Sequence, residues 1–301
     1  MTSAPNDAGP LTPARRLMTL TRMDQTAQRR LPQFPAIVET WRADGRPGRD
    51  DNTPGLILIC EHASNALPLD WPELGGDLGI SAATRASHAA WDIGALGLSR
   101  ELAPRLAPQT GGALLIHAPL SRLVYDLNRP PDHAGAIPPR SEIHDIPGNT
   151  SLTLEQRLAR LESVYLPFQA SVSAEIARLV MRGKRPVIIA MHSFTPVFLG
   201  QRREVEFGIL FDDDDDIAQH LMLASRGSGL VTRLNEPYTA QSSVAHTTRI
   251  HARPMRLHHT MLEIRNDLIA DPAGQARIAG ILAPLLRSAI SEALGNEAPR
   301  L

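Results

Sequence analysis

The chain has 301 residues, 43% of them hydrophobic and 21% charged, with a formal net charge of -1 at pH 7. That length suits one large α/β domain rather than two independent ones, and the near-neutral balance gives no reason to expect nucleic acid or a membrane surface as partner. A single cysteine, Cys60, excludes an intramolecular disulfide framework and fits a reducing cytoplasm.

Taken in chain order, residues 1 to about 48 are polar with scattered Pro and Gly and read as a flexible N-terminal tail. A short helix is expected within it over residues 12–29, capped by Thr12 with Pro13 in the first helical position. Residues 49–301 then form a single domain. The apolar run at residues 55–60 reads as a buried strand, with Cys60 a buried structural thiol at its end. Residues 81–106 are helical in pattern, and a second strand region covers 114–124. Residues 132–149, with their prolines and glycines, form a long surface loop of the kind that covers sites. A long amphipathic helix over 152–181 should kink or break at Pro167. Strands come next at 186–191, 205–211 and 260–264, with a last helix over 272–294. The five aspartates from Asp212 to Asp216 precede a helical stretch, where the helix dipole stabilises acidic residues, so they read as a solvated cap rather than a calcium site. No apolar run approaches the ~20 residues of a membrane span. Strands alternating with helices, several of them wholly apolar, predict a mostly parallel or mixed central sheet with helices on both faces.

The chemistry is concentrated at the carboxyl end of each strand. The first ends in Glu61-His62-Ala63-Ser64-Asn65. The second leads into Ser121 to Pro130, a run with two arginines, an aspartate and an asparagine. The third ends in His192-Ser193, and the last contains Glu263 and then Arg265. Ligands of open α/β sheets bind beyond the carboxyl ends of strands, so these side chains are expected to share one crevice. A guanidinium is a planar fork of donors that grips a carboxylate at two points, the equipment for a small anionic substrate.

Two histidines with carboxylates nearby make a candidate catalytic metal site, which needs three protein ligands and an open position. Zinc is the default, because imidazoles and one carboxylate suit it. The third ligand is open at this stage. Asn65 lacks a carboxylate, Glu61 should point away from His62 if the strand continues, and Asp92 is either a ligand or the partner of a buried arginine. Glu263, between Leu262 and Ile264, is either ion-paired to Arg265 or a general base. His246 and His251 lie on a segment that could reach the cleft.

These segments, in order, resemble the N-formylglutamate amidohydrolase family. The matching stretches are Glu61 to Asn65, Trp91-Asp92-Ile93-Gly94-Ala95, Ser121-Arg122 through Asp126-Leu127-Asn128-Arg129-Pro130, His192 to Pro196, Asn235-Glu236-Pro237-Tyr238, and Leu262 to Leu268. The resemblance implies a zinc-exopeptidase-like fold, similar to zinc carboxypeptidases and aspartoacylase-like amidohydrolases. It implies that Asn128 and Arg129 hold the substrate carboxylate, that Arg122 polarises the scissile carbonyl, and that Glu263 activates water. Where those peptidases carry His-x-x-Glu, this chain has His62-Ala63-Ser64-Asn65, and Asp92 is taken to replace the missing carboxylate. The expected set is therefore His62, Asp92 and His192 for zinc, Glu263 and Arg122 for catalysis, and Asn128, Arg129, Arg265 and His251 for substrate. The expected substrate is a small anionic N-acyl amino acid, N-formyl-L-glutamate first. The alternatives are another N-acyl amino acid deacylase, a carboxypeptidase, or a metal-free dicarboxylate-binding protein.

Overall fold

The computed structural model of the chain describes residues 30–48, 55–238 and 245–295. The helix expected over 12–29 lies outside the described residues. Seven strands form the central sheet: β1 (Ile37–Trp41), β2 (Leu56–Cys60), β3 (Ala113–His117), β4 (Val187–Phe194), β5 (Phe207–Leu210), β6 (Thr232–Leu234) and β7 (His259–Arg265). Their order across the sheet is β1-β3-β2-β4-β7-β5-β6. The four central strands β3, β2, β4 and β7 run parallel. β1 joins β3, and β5 joins β7, antiparallel, so the sheet is mixed.

Strand residues alternate between faces, and β2 shows this directly. Leu56, Leu58 and Cys60 pack into one core layer with the helices α2 (Ala95–Thr110), α5 (Asp216–Ala224) and α7 (Pro272–Gly295). Ile57 and Ile59 face the opposite layer, which α4 (Leu166–Met181) covers through Phe168, Val172 and Ile176. Both faces are therefore covered, as expected of a wholly apolar parallel strand. α7 is long and apolar enough to cross a membrane by length and composition, which amends the expectation from the sequence. Its Ile278, Leu282, Leu286 and Ile290, at helical spacing, are buried in that core layer.

Several boundaries differ from the expectation, each for a local reason. Residues 37–41, assigned to the tail, form edge strand β1 against β3. β6 has only three residues, too few to show a period. The helix expected over 81–106 is two helices, α1 (Ala82–Ala86) and α2, separated by residues 87–94. Gly94 causes the break: it adopts φ 80° and lies so close to the Ile269 carbonyl that a Cβ would collide with it. The long helix is not broken at Pro167. A five-residue π-turn, Leu161–Tyr165, links α3 (Leu154–Arg160) to α4, so Pro167 falls in a first turn, where no N–H is needed. β3 ends at His117, and the chain beyond it runs through turns that carry Arg122, Asp126, Asn128 and Arg129. Residues 132–149 include a short hairpin, Arg140–Ser141 with His144–Asp145.

Candidate active site

Parallel strands share one carboxyl edge, and there the side chains named from the sequence meet. His62 lies two residues beyond β2. His192 sits in β4 directly opposite Glu263 of β7. Asp92 is delivered by the break before α2, and its N–H donates to the His62 carbonyl at 2.9 Å. His62, His88, Asp92, Arg122, Asn128, Arg129, His192, Tyr238 and Glu263 line one cavity of about 250 Å³.

At its base, Asp92 Oδ2 lies 3.3 Å from His62 Nδ1 and 2.8 Å from His192 Nδ1. One ligand atom from each of the three residues falls within 4.8 Å of the others, and all three are buried. The outer ring nitrogens face carboxylates: His62 Nε2 is 2.8 Å from Asp126 Oδ1, and His192 Nε2 is 3.2 Å from Glu61 Oε2. The second contact lacks a hydrogen-bonding angle. A carboxylate hydrogen-bonded to the far nitrogen, as Asp126 is to His62, favours the proton there and frees Nδ1 to face inward, the usual support for a metal-bound histidine. Both Nδ1 atoms thus face one carboxylate oxygen, an arrangement that a proton or a cation can bridge.

Charge points the same way. Four buried carboxylates, Glu61, Asp92, Asp126 and Glu263, stand against two guanidiniums, Arg122 and Arg129, so the site carries an excess of acidic groups. A bound cation would offset that excess. Burial alone would raise the Asp92 carboxyl, but the flanking imidazoles hold it well below the usual range. Burial opposes a charge on His192, yet Glu61 and Asp92 push its affinity for a proton well up. The residues present therefore fit a zinc ion, which His62, Asp92 and His192 would hold.

Of the two readings left open for Asp92, the partner of an arginine is what the contacts give: its Oδ1 accepts from Arg122 Nη1 at 3.3 Å, while Oδ2 faces the two imidazoles. Arg122 Nη2 donates to Asp126 Oδ2 at 2.7 Å, so two carboxylates brace this guanidinium at the cavity wall. Arg129 is held more loosely, with Nε 3.9 Å from Asp126 Oδ2, and its buried Nη1 has no hydrogen-bond partner among the described residues. Asn128 Oδ1 accepts the Thr247 N–H at 2.9 Å, which fixes the direction of its amide. Glu263 is 6% exposed and its Oε2 has no hydrogen-bond partner among the described residues, while burial pushes its carboxyl up to about 7. It makes no ion pair with Arg265.

Two expected site residues lie elsewhere. Arg265 donates to Asp267 at 2.8 and 3.2 Å and to Glu206 at 3.2 Å, and it does not line the cavity. The strand end turns it toward these acids, a pairing that two-residue periodicity could not reveal. His251 belongs to the short helix α6 (His246–His251), packed against α4. Its Nε2 donates to Gln169 Oε1 at 2.6 Å and its Nδ1 accepts from Ser173 at 3.2 Å, so the neutral ring is satisfied on both sides.

This burial depresses the His251 imidazole to about 4, below the ~6.5 of an unfolded chain. The unfolded state then binds more protons between those values, so stability is lost as pH falls through that window. His251→Gln should flatten the dependence of unfolding free energy on pH between ~6.5 and ~4, by an amount on the order of 3 kcal/mol. Parallel curves for the two proteins in urea titrations would refute this.

Some residues of the site carry no clear signal in the sequence. Asp126 stands inside the densest polar run with no role assigned, yet it orients His62 and braces Arg122. Glu61 does point away from the cavity, but toward His192. Tyr238, Phe198, His88 and Glu142 complete the wall, and only Tyr238 falls within a noted motif.

Comparison with known proteins agrees with this architecture. The N-formylglutamate amidohydrolase family profile matches residues 55–270. The structure of gene product Atu2144 from Agrobacterium tumefaciens is 43% identical, with a TM-score of 0.76 over 85% of this chain and 95% of that one. The N-formylglutamate amidohydrolase from Ralstonia eutropha JMP134 shares the fold at 17% identity, with a TM-score of 0.56 over 87% of this chain and 99% of that one. No curated protein matches the chain. The family match marks the chain as a hydrolase acting on an amide bond. The chain belongs to the N-formylglutamate amidohydrolase family.

Proposed function

We propose that the protein hydrolyses the amide bond of a small anionic N-acyl amino acid in a zinc-dependent reaction. N-formyl-L-glutamate, giving formate and L-glutamate, is the substrate the family name supplies. The observation that carries the reading is the convergence of two Nδ1 atoms and one carboxylate oxygen beside an unpartnered, buried Glu263 oxygen. That arrangement supports hydrolysis over the binding of dicarboxylates alone.

A cation held by His62, Asp92 and His192 would supply Lewis-acid charge to water and to the acyl oxygen. Arg129 Nη1 and the oriented Asn128 amide hold the substrate's α-carboxylate, placing the acyl group over the cavity floor. Arg122, fixed by Asp92 and Asp126, donates to the acyl oxygen as it gains charge, a contribution of roughly 3–4 kcal/mol per donor in comparable sites. Glu263 takes a proton from the attacking water and delivers it to the departing nitrogen. The water oxygen ends on the acyl carbon, the C–N bond breaks, and the amino acid leaves with the transferred proton. Stripping the metal and returning zinc tests the reading: amide hydrolysis must vanish and come back.

A further inference from the structure

The turn Asp126-Leu127-Asn128-Arg129 is closed by the Arg129 N–H, which donates to the Asp126 carbonyl at 3.2 Å. Its central peptide, between Leu127 and Asn128, is gripped on both sides. The Asn128 N–H donates to Asp126 Oδ1 at 3.0 Å, and the Leu127 carbonyl accepts from Gln169 Nε2 at 2.9 Å. A four-residue turn has a second form in which this peptide is flipped and the third residue takes a positive φ, and Asn is one of the few residues that tolerate it. Asn128 occupies that third position with a negative φ. The residue chosen to touch substrate is therefore also the one that leaves the turn free to flip. A flip would withdraw the Asn128 N–H from Asp126 and re-aim the Asn128 side chain.

Gln169 opposes the flip from α4, where it is 7% exposed. A glutamine amide is nearly symmetric in shape, so a partner must decide which end faces Leu127. His251 supplies that partner: its Nε2 donates to Gln169 Oε1 at 2.6 Å, which leaves the amide nitrogen for the Leu127 carbonyl. Ser173 Oγ, 3.2 Å from His251 Nδ1, holds the ring from its other side. α6 thus acts on the anchor twice, through His251 on the backbone and through the Thr247 N–H on the Asn128 side chain.

We propose that Gln169 is a positioning residue for the reaction: backed by His251, it locks the Leu127–Asn128 peptide in the orientation that presents Asn128 and Arg129 to the substrate's α-carboxylate. This rests on the amidohydrolase reading, and it gives His251 a role two hydrogen bonds away from the anchor. The test compares kcat/KM of the zinc-loaded protein for N-formyl-L-glutamate and for N-formyl-4-aminobutyrate, the same compound without its α-carboxylate. It is repeated with Gln169→Glu, which keeps an acceptor for His251 and loses the donor to Leu127, and with Gln169→Met, which loses both at similar volume. The native protein should favour the glutamate compound by at least about tenfold. Both variants should shrink that ratio about tenfold through a higher KM for the glutamate compound, while bound zinc stays stoichiometric. An unchanged ratio in both variants overturns the proposal. So does an equal fall for both compounds, which would make Gln169 a packing residue with no bearing on the anchor. A native protein that hydrolyses neither compound removes the amidohydrolase reading and this proposal with it, a failure seen without any variant.

Discussion

Glu263→Gln should lower kcat by about 10³-fold, within the range ascribed to a positioned acid–base group, while bound zinc and KM stay close to native. The position explains why. Glu263 is held in the middle of β7, opposite His192 on one side and Gly208 on the other. Gly208 is required there, since a Cβ would collide with the Glu236 carbonyl and crowd Glu263 Cβ at 3.3 Å. The amide of Gln fills the same space and removes only the ability to take a proton. Burial pushes the carboxyl up to about 7, which places it near the optimum for a base at neutral pH. Kinetics together with metal analysis decides the matter: a variant that turns over within tenfold of native would remove Glu263 from the chemistry. A variant that loses zinc would make it a ligand instead.

The second large effect is expected at the carboxylates that organise the histidines. Asp92→Ala should abolish stoichiometric zinc binding and reduce activity to background, because Asp92 Oδ2 is the oxygen both Nδ1 atoms face. Asp126→Asn leaves all three ligands in place and removes the charge behind His62 Nε2. It should weaken zinc affinity by roughly 10–100-fold, the usual effect of an outer-shell carboxylate. Competition titration with a chelating dye measures both. Native affinity in Asp92→Ala would rule out the proposed ligand set. An Asp126→Asn affinity unchanged within a factor of two would show that Asp126 serves Arg122 alone.

Much of this is legible in the sequence. Apolar runs at residues 55–60, 186–191 and 260–264 mark buried strands because parallel strands covered on both faces are apolar throughout. Once those strands lie side by side, His62, His192 and Glu263 share an edge with little freedom left. Asp92 is legible through the resemblance and not through periodicity, since helical spacing hides the break that Gly94 imposes. Arg265 and His251 point elsewhere because the direction of a side chain at a strand end or on a one-turn helix depends on partners far away in sequence, Glu206 and Gln169 here. Asp126 escapes notice because an acid four residues after an arginine already has a sufficient partner in Arg122. Its bond to His62 spans 64 residues.

The most direct test of the central claim is formate release from N-formyl-L-glutamate and N-formyl-L-glutamine by the chelator-stripped protein, before and after one equivalent of zinc is returned. The account predicts release from at least one compound only with zinc present, and no recovery by zinc in Asp92→Ala. Equal release from stripped and restored protein would contradict the metal-dependent mechanism built on His62, Asp92 and His192.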